Sequence, residues 1–355
     1  MKKLLKGLGI IVLALVVIVI GYFIFMTVTD YKPPKTLTLE TTKGPDMKAE
    51  SLKTGTPFTV TTFNIGYCGL DKGQDFFLDG GTMSRSSSKE QTMKNLDSIT
   101  KFLMELDSTF VVLQEVDIKS SRSFKVDQVK HMKESLTVYE STFAVNYKVP
   151  WVPVPLTHPM GSAYGGLLTF SKHSAEKSTR YQFPGQEAWP RQLAELDRCF
   201  IESRIPVEGG KELILINAHL SAYDKGGQIR KQQLGFLKEY ISNEYKNGNY
   251  VIVGGDWNHV IPGTDPKLFT YEEVWPEWCV EMPSDFLPEG FMWVADKMVP
   301  TVRQNSTAYK EGYNFVAVID GMLISPNVEL VKVQGHDLKF ENSDHNPVTG
   351  TYILK

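Results

Sequence analysis

Eight polar side chains interrupt apolar segments of this 355-residue sequence: Asn64 in FTVTTFNIG, Glu115 in FVVLQEV, His219 in LILINAHLSA, Asp256 and Asn258 in YVIVGGDWN, Asp320 in NFVAVIDGMLIS, and Asp344 with His345 in SDHNPV. Each apolar run reads as a buried strand, so these residues sit within or at the end of one, and Asp344 and His345 just before a final strand, where several side chains can converge on a common cleft. Singly, each has a bland reading. Asn and Asp at strand ends are commonly turn formers, and Asp256-Trp257-Asn258 could be an Asx-turn. Glu115 could pair with a surface lysine, and His219 could be a satisfied core histidine. Together the set argues otherwise. Three carboxylates beside strongly apolar strands are costly unless a cation compensates them. Carboxylates with an amide and no thiol make a hard oxygen site, suited to Mg²⁺ or Mn²⁺ rather than zinc.

Such a site suits phosphoester hydrolysis. A divalent ion polarises the phosphoryl oxygen and neutralises developing charge. A histidine oriented by a carboxylate positions or deprotonates the attacking water. A second histidine and an asparagine donate hydrogen bonds to the charged transition state.

The elements that must position these residues alternate between strands and helices from Phe58 onward. Helical spacing puts Leu96, Ile99, Leu103 and Leu106 on one face of 89–106, and Ile229, Leu234, Leu237 and Ile241 on one face of 228–245. A short helix is expected over 126–136. Strands are expected over 58–65, 109–116, 139–147, 165–170, 199–205, 212–218, 250–254, 315–324 and 348–354. Many strands with three or four helices argue against a doubly wound parallel sheet. Two sheets packed face to face with helices outside fit better. The stretch 261–313 shows no clean period.

Ahead of this domain, Gly7–Val28 carries no charge and is mostly Ile, Val and Leu. At about 1.5 Å per residue it spans the roughly 30 Å hydrocarbon core. The run is too long for a cleaved signal and lacks an Ala-x-Ala site. The expected layout is a basic head at 1–6, a transmembrane anchor at 7–28, a polar tether at 29–57 and a catalytic domain at 58–355. Lys2, Lys3 and Lys6 favour a cytoplasmic head and an extracytoplasmic domain at the cell membrane, although Lys32, Lys35 and Lys43 nearly balance them.

Composition narrows the classes further. Hydrophobic residues make up 42% and charged residues 22%, which builds a core and excludes a disordered chain. The formal charge is -3, and the anchor region holds lysines but no acid, so the domain is more acidic still. It has no footprint for loose nucleic-acid binding. Cys68, Cys199 and Cys279 are too few and too far apart for a disulfide framework. No feature calls for an obligate protein partner.

The six blocks TFNIG, LQEV, NAHLSA, GGDWN, IDGMLIS and SDHNPV, in this order over 58–354, resemble the endonuclease/exonuclease/phosphatase superfamily. That group includes deoxyribonuclease I, abasic-site endonucleases, inositol polyphosphate 5-phosphatases and neutral sphingomyelinases. The resemblance implies a four-layered α/β sandwich, two packed mixed sheets flanked by helices, with the cleft at one edge. It implies Asn64, Glu115 and Asp344 at the metal, with Glu115 the principal ligand. It also implies His219 and Asn258 on the scissile phosphate, Asp256 on the attacking water, and Asp320 aligning His345. Whether His345 acts as base or as electrostatic stabiliser stays open. The looser block AYGGLLTFSK offers Tyr164, with His158 nearby, as a phosphate contact.

Substrate identity is left to four readings. A phospholipid or other lipid-linked phosphodiester suits the anchor, and YQFPG…LDRCF resembles the sphingomyelinase branch. The apolar clusters 151–155 and 286–293 would then dip into an interface, or else pack on the core. Extracellular DNA or RNA would need cations such as Arg303, Lys310, Lys225 and Arg230 around the cleft. A sugar or inositol phosphomonoester is the third reading. A non-enzymatic binding protein is disfavoured by the complete set of blocks.

Overall fold

The computed structural model describes residues 1–48, 51–224 and 226–355; Lys225 lies outside the described residues. Two seven-stranded sheets dominate. The strands used below are β1 (Thr36–Thr38), β2 (Thr41–Lys43), β3 (Phe58–Asn64), β4 (Phe110–Asp117), β5 (Glu140–Val152), β6 (Gly161–Ser171), β7 (Lys177–Gln182), β8 (Cys199–Val207), β9 (Lys211–His219) and β10 (Tyr250–Asp256). The helices are α1 (Lys2–Thr29), α2 (Lys89–Leu106), α3 (Gln128–Ser135) and α4 (Gln228–Lys246). One sheet runs β1-β7-β8-β9-β10, then Asp320–Ile324 and Met292–Val294. The other runs Val328–Gly335, Val348–Leu354, then β3-β4-β6-β5-β2.

The period-two pattern builds four layers. In β4, Phe110 and Val112 enter the core between the sheets, while Val111 and Leu113 pack against Leu96, Ile99 and Leu103 of α2 and Met132 of α3. In β9, Leu213 and Leu215 face the other sheet, while Ile214 and Ile216 meet Leu234, Leu237 and Ile241 of α4. Each of these fully buried side chains contributes about 1.5–3 kcal/mol relative to exposure. Both sheets are mixed as expected, because β3–β4 and β9–β10 are parallel pairs, each joined by a helix, amid antiparallel neighbours. Helix α2 starts at Ser88, whose hydroxyl accepts from the Gln91 amide at 3.0 Å.

Several expectations need correction. The 29–57 segment is not a free tether. Thr36 pairs opposite Tyr181 and Thr41 opposite Thr142, so β1 and β2 each add an edge strand, and Leu52 is buried in the inter-sheet core. Fully exposed threonine-rich edge strands carry no hydrophobic alternation, which is why they read as linker. Two further strands escaped notice: β7, whose buried residues Ser178, Thr179 and Arg180 are polar, and Val328–Gly335, whose alternation breaks at a register shift between Leu330 and Lys332. The stretch 315–324 divides into Val316–Ala317 and Asp320–Ile324. Of the two readings left open for the 286–293 cluster, packing on the core holds for Phe286 and Trp293, which ring Trp257 at centroid distances of 6.0 and 4.6 Å, while Leu287 and Met292 stay exposed.

Helix α1 is, among the described residues, the one helix long and apolar enough to cross a membrane, with a mean hydropathy of 3.1 in its best window. Its last turns rest on the domain, where Met26 is buried.

The sheets are tied by a polar clamp as well as by apolar packing. Gln114 of β4 donates to the Asn217 side-chain oxygen at 2.8 Å. The Asn217 amide donates to the carbonyls of Leu113 and Leu168 at 3.1 and 3.2 Å. All of this is buried, so truncation strands several polar groups at once. Asn217→Ala should lower unfolding free energy by about 2–4 kcal/mol, read from urea unfolding monitored by fluorescence and circular dichroism.

Candidate active site

Two parallel strand pairs set the site. Pairing of β9 with β10 puts His219 beside Asp256, and the antiparallel Asp320–Ile324 strand puts Asp320 on the other side of Asp256. In the second sheet the end of β3 brings Asn64 beside Gln114. Alternation alone would turn Glu115 toward the helices, since Gln114 points between the sheets. Instead the β4–β6 register shifts between Leu113 and Val116, and Glu115 takes a left-handed backbone (φ 56°). That bulge swings the carboxylate into the cleft, an unusual conformation for a non-glycine residue and one that clusters at functional sites. Gly66 is needed nearby: its φ is +48°, and a Cβ there would fall 2.6 Å from Asp344 Oδ1.

Asp256 is the hub. Its Oδ2 accepts from Asn64 Nδ2 at 3.0 Å and lies 3.4 Å from His219 Nε2 and 3.8 Å from His345 Nε2. Its Oδ1 accepts from the Asn258 amide at 2.9 Å. Asn64 Nδ2 also reaches Glu115 Oε1 at 3.3 Å, so Glu115 is within one coordination shell of Asn64. His345 Nδ1 meets Asp320 Oδ2 at 2.8 Å. Asp344 is held by Asn305, whose amide donates to Oδ2 at 2.8 Å.

The electrostatics separate the two histidines. Burial, then repulsion from Arg198 and His345, holds His219 well below the usual imidazole range, so it is neutral. Burial would lower His345 too, but the Asp320 carboxylate, its hydrogen bond and Asp256 outweigh it and hold the imidazolium up at about 10. Burial, then the Asp320 charge, pushes Asp256 up to about 6. Burial also raises Glu115, against the pull of Arg122.

The expected set of eight therefore meets at one edge of the two sheets. Two positions differ in detail. Asn258 spends an amide hydrogen on the Leu220 carbonyl at 2.9 Å, so it shapes the turn as well as lining the cleft. Arg303 is fully buried, and its guanidinium donates to the carbonyls of Asp71 and Gln74 at 2.8 and 3.1 Å. It pins the 70–79 loop rather than presenting a free cation. Tyr164 lies outside the cleft, its ring 5.4 Å from the Lys148 ammonium, and His158 is exposed on a loop. Arg230 is turned away, donating to the carbonyls of Asn258 and Trp278.

Two arginines were not expected. Arg122 grips Asp117 through Nε and Nη2, both at 3.1 Å, and reaches Glu115 Oε2 at 3.4 Å, with its guanidinium 4.0 Å from the Tyr67 ring centroid. Arg198 lines the cleft, and its Nη1 is buried without a hydrogen-bond partner. An arginine entering the apolar run RCFIES was the available signal for the latter.

The residues fit a divalent cation. Glu115 and Asp344, which line the cleft, and Asn64, whose amide reaches Glu115, offer hard oxygen donors. Asp256, Asp320 and His345 also bring ligating atoms within 4.8 Å of one another, all three buried. The 2.8 Å His345–Asp320 bond already engages two of those residues, which favours the Glu115 side.

Solved structures share the fold. An endonuclease/exonuclease/phosphatase from Beutenbergia cavernae DSM 12333 aligns with a TM-score of 0.56 at 16% identity, covering 84% of this chain and 72% of its own. TDP2 of D. rerio, complexed with a single-strand DNA product, aligns at 0.52 and 15%, covering 84% and 99%. ANGEL2, a 2',3'-cyclic phosphatase, aligns at 0.52 and 15%, covering 89% and 98%. No curated protein matches the chain. The model of the Endonuclease/Exonuclease/phosphatase family matches residues 61–345, from within β3 to the last histidine of the site, and the chain belongs to that family of phosphoester-hydrolysing enzymes.

Proposed function

We propose that this chain is a membrane-anchored, Mg²⁺- or Mn²⁺-dependent phosphodiesterase that cleaves its substrate by attack of water. The observation that carries this reading is the meeting of Glu115 and Asn64 with the Asp256–His219–His345–Asp320 cluster around one cleft. Glu115, with Asn64 and Asp344, would hold the cation, which when bound polarises the phosphoryl oxygen and offsets developing charge.

The chain's own residues supply the rest. Asp256, central and with a raised proton affinity, orients the water and accepts its proton. Neutral His219 donates to a phosphoryl oxygen, and the His345 imidazolium, fixed by Asp320, stabilises the charge that builds in the transition state. Arg198, with an unpartnered Nη1, binds the substrate phosphate as a charge-assisted donor. The anchor is α1, and the basic residues Lys2, Lys3 and Lys6 ahead of it support an extracytoplasmic domain.

The nuclease reading, to which the likeness to a TDP2 complexed with a single-strand DNA product lends support, asks for free cations along the cleft. The lining arginines are Arg122, Arg198 and Arg303, and two of these are committed to internal partners. A phosphodiester beyond nucleic acid is therefore favoured.

Glu115→Gln should weaken Mg²⁺ binding and lower turnover about 100-fold or more, with the melting temperature retained; unchanged Mg²⁺-dependent rates would remove the metal role. Asp320→Asn should lower kcat by about 10²–10³-fold with little change in KM, because it disorients His345 without touching substrate; steady-state kinetics on a chromogenic diester decides this. Arg198→Ala should instead act mainly on KM, by about 10–100-fold, with partial recovery in Arg198→Lys. Equal loss of kcat in all three variants would contradict this division of labour.

A further inference from the structure

Helix α1 does not leave the domain at an indifferent place. Tyr22 and Phe23 pack, and Met26 is buried, in a cluster with Tyr147, Val149, Val152, Met160 and Leu193. The Tyr22 hydroxyl donates to the Trp151 carbonyl at 3.1 Å, and the Phe23 and Trp189 ring centroids are 5.5 Å apart. Val152, Met160, Ala194 and Leu196 belong to this cluster or pack against it, and the same four line the cleft that holds Glu115, Asp256 and His345. One layer of side chains therefore separates the end of the helix from the reaction site.

Counted from Lys6, about 20 residues at roughly 1.5 Å each cross the hydrocarbon core and end near Met26. Tyr22, Phe23, Trp151 and Trp189 then stand at headgroup level, the position favoured by amphipathic aromatic rings. The end of β5 with the segment that follows it, and the turn carrying Trp189, are exposed: Trp151 is 42%, Leu156 87% and Trp189 58% accessible. Exposed Lys119 and Lys125 lie at the far end of the first segment, Lys119 donating its backbone amide to the Tyr164 carbonyl and Lys125 bonded to the Ser162 hydroxyl. They suit the phosphate layer of a bilayer. The cleft is amphiphilic in the matching sense. Its lining joins acids and histidines to the apolar side chains of Val152, Val154, Met160, Phe76, Phe77 and Leu78.

We infer that the catalytic cleft opens onto the bilayer surface, with the 151–160 and 186–196 loops seated in the headgroup layer around the end of α1, and that its substrate is the phosphoester headgroup of a lipid in that leaflet. This rests on the phosphoesterase reading above. The occupant of the exposed apolar rim is the bilayer itself, because the rim is continuous with the membrane-crossing face of α1. The lipid phosphate reaches the acids and histidines while its apolar portion stays along the apolar side chains.

The full chain, reconstituted into vesicles of phosphatidylcholine, sphingomyelin and phosphatidylserine with Mg²⁺, tests this. Headgroup release is measured beside hydrolysis of bis(p-nitrophenyl) phosphate and of a single-stranded oligonucleotide. Leu156→Asp, far from the reacting atoms, should lower headgroup release about tenfold and leave the soluble diester rate unchanged. Brominated phosphatidylcholine should quench the wild-type fluorescence, and Trp151→Phe/Trp189→Phe should abolish most of that quenching. Hydrolysis of the soluble diester or the oligonucleotide without headgroup release overturns this inference and leaves the phosphoesterase reading standing. Equal rates in Leu156→Asp, or unaltered quenching in the double variant, overturns the placement of the loops. Failure to hydrolyse any of the three overturns the phosphoesterase reading as well.

Discussion

Negative charge gathered at one edge of two apolar sheets is the constraint around which this molecule is organised. Buried Asp256 and Asp344 line one cleft with half-buried Glu115, and buried Asp320 sits behind His345. Carboxylates in such surroundings are unfavourable unless cations or hydrogen bonds answer them. Each feature of the site can be read as part of that answer: the His345 imidazolium against Asp320, the Asn64 amide shared between Asp256 and Glu115, and Arg122 reaching Glu115 from its bidentate seat on Asp117. A divalent ion held by Glu115, Asn64 and Asp344 would complete the compensation on that side of the cleft.

Holding like charges together requires a stiff frame. The frame comes from two parallel pairs, β3–β4 and β9–β10, whose carboxyl ends lie at the same edge, and from the Gln114–Asn217 clamp that locks the sheets next to them. Gln114 precedes Glu115, and Asn217 lies two residues before His219. The clamp therefore fixes the separation of the metal side and the histidine side of the cleft. The bulge at Glu115 adds strain that only a rigid surround would maintain.

The two unexpected arginines show how a site exceeds its signature. Arg122 and Arg198 sit in segments whose composition resembles ordinary loop and strand entry, and their roles arise from what the fold places opposite them. Arg303 shows the converse. As one of four cations named for a nucleic-acid phosphate it looked available, yet carbonyls of the 70–79 loop, more than 220 residues away in sequence, consume its donors.

By itself the sequence determined the local elements and the eight polar interruptions. Strongly apolar strands and amphipathic helices such as 89–106 write their burial into a short-range period, and strand-end acids and histidines stand out against it. The apolar run of α1 is legible for the same reason. Only the tertiary structure decided the rest. Edge strands made of threonine have no period to read, because backbone bonding to a neighbour stabilises them. The status of each arginine, the fate of the 286–293 aromatics and the seating of α1 against the cleft wall all depend on contacts between residues distant in the chain. Such contacts leave no trace in local composition, since the same side chain serves as cleft donor or loop pin according to what folds against it.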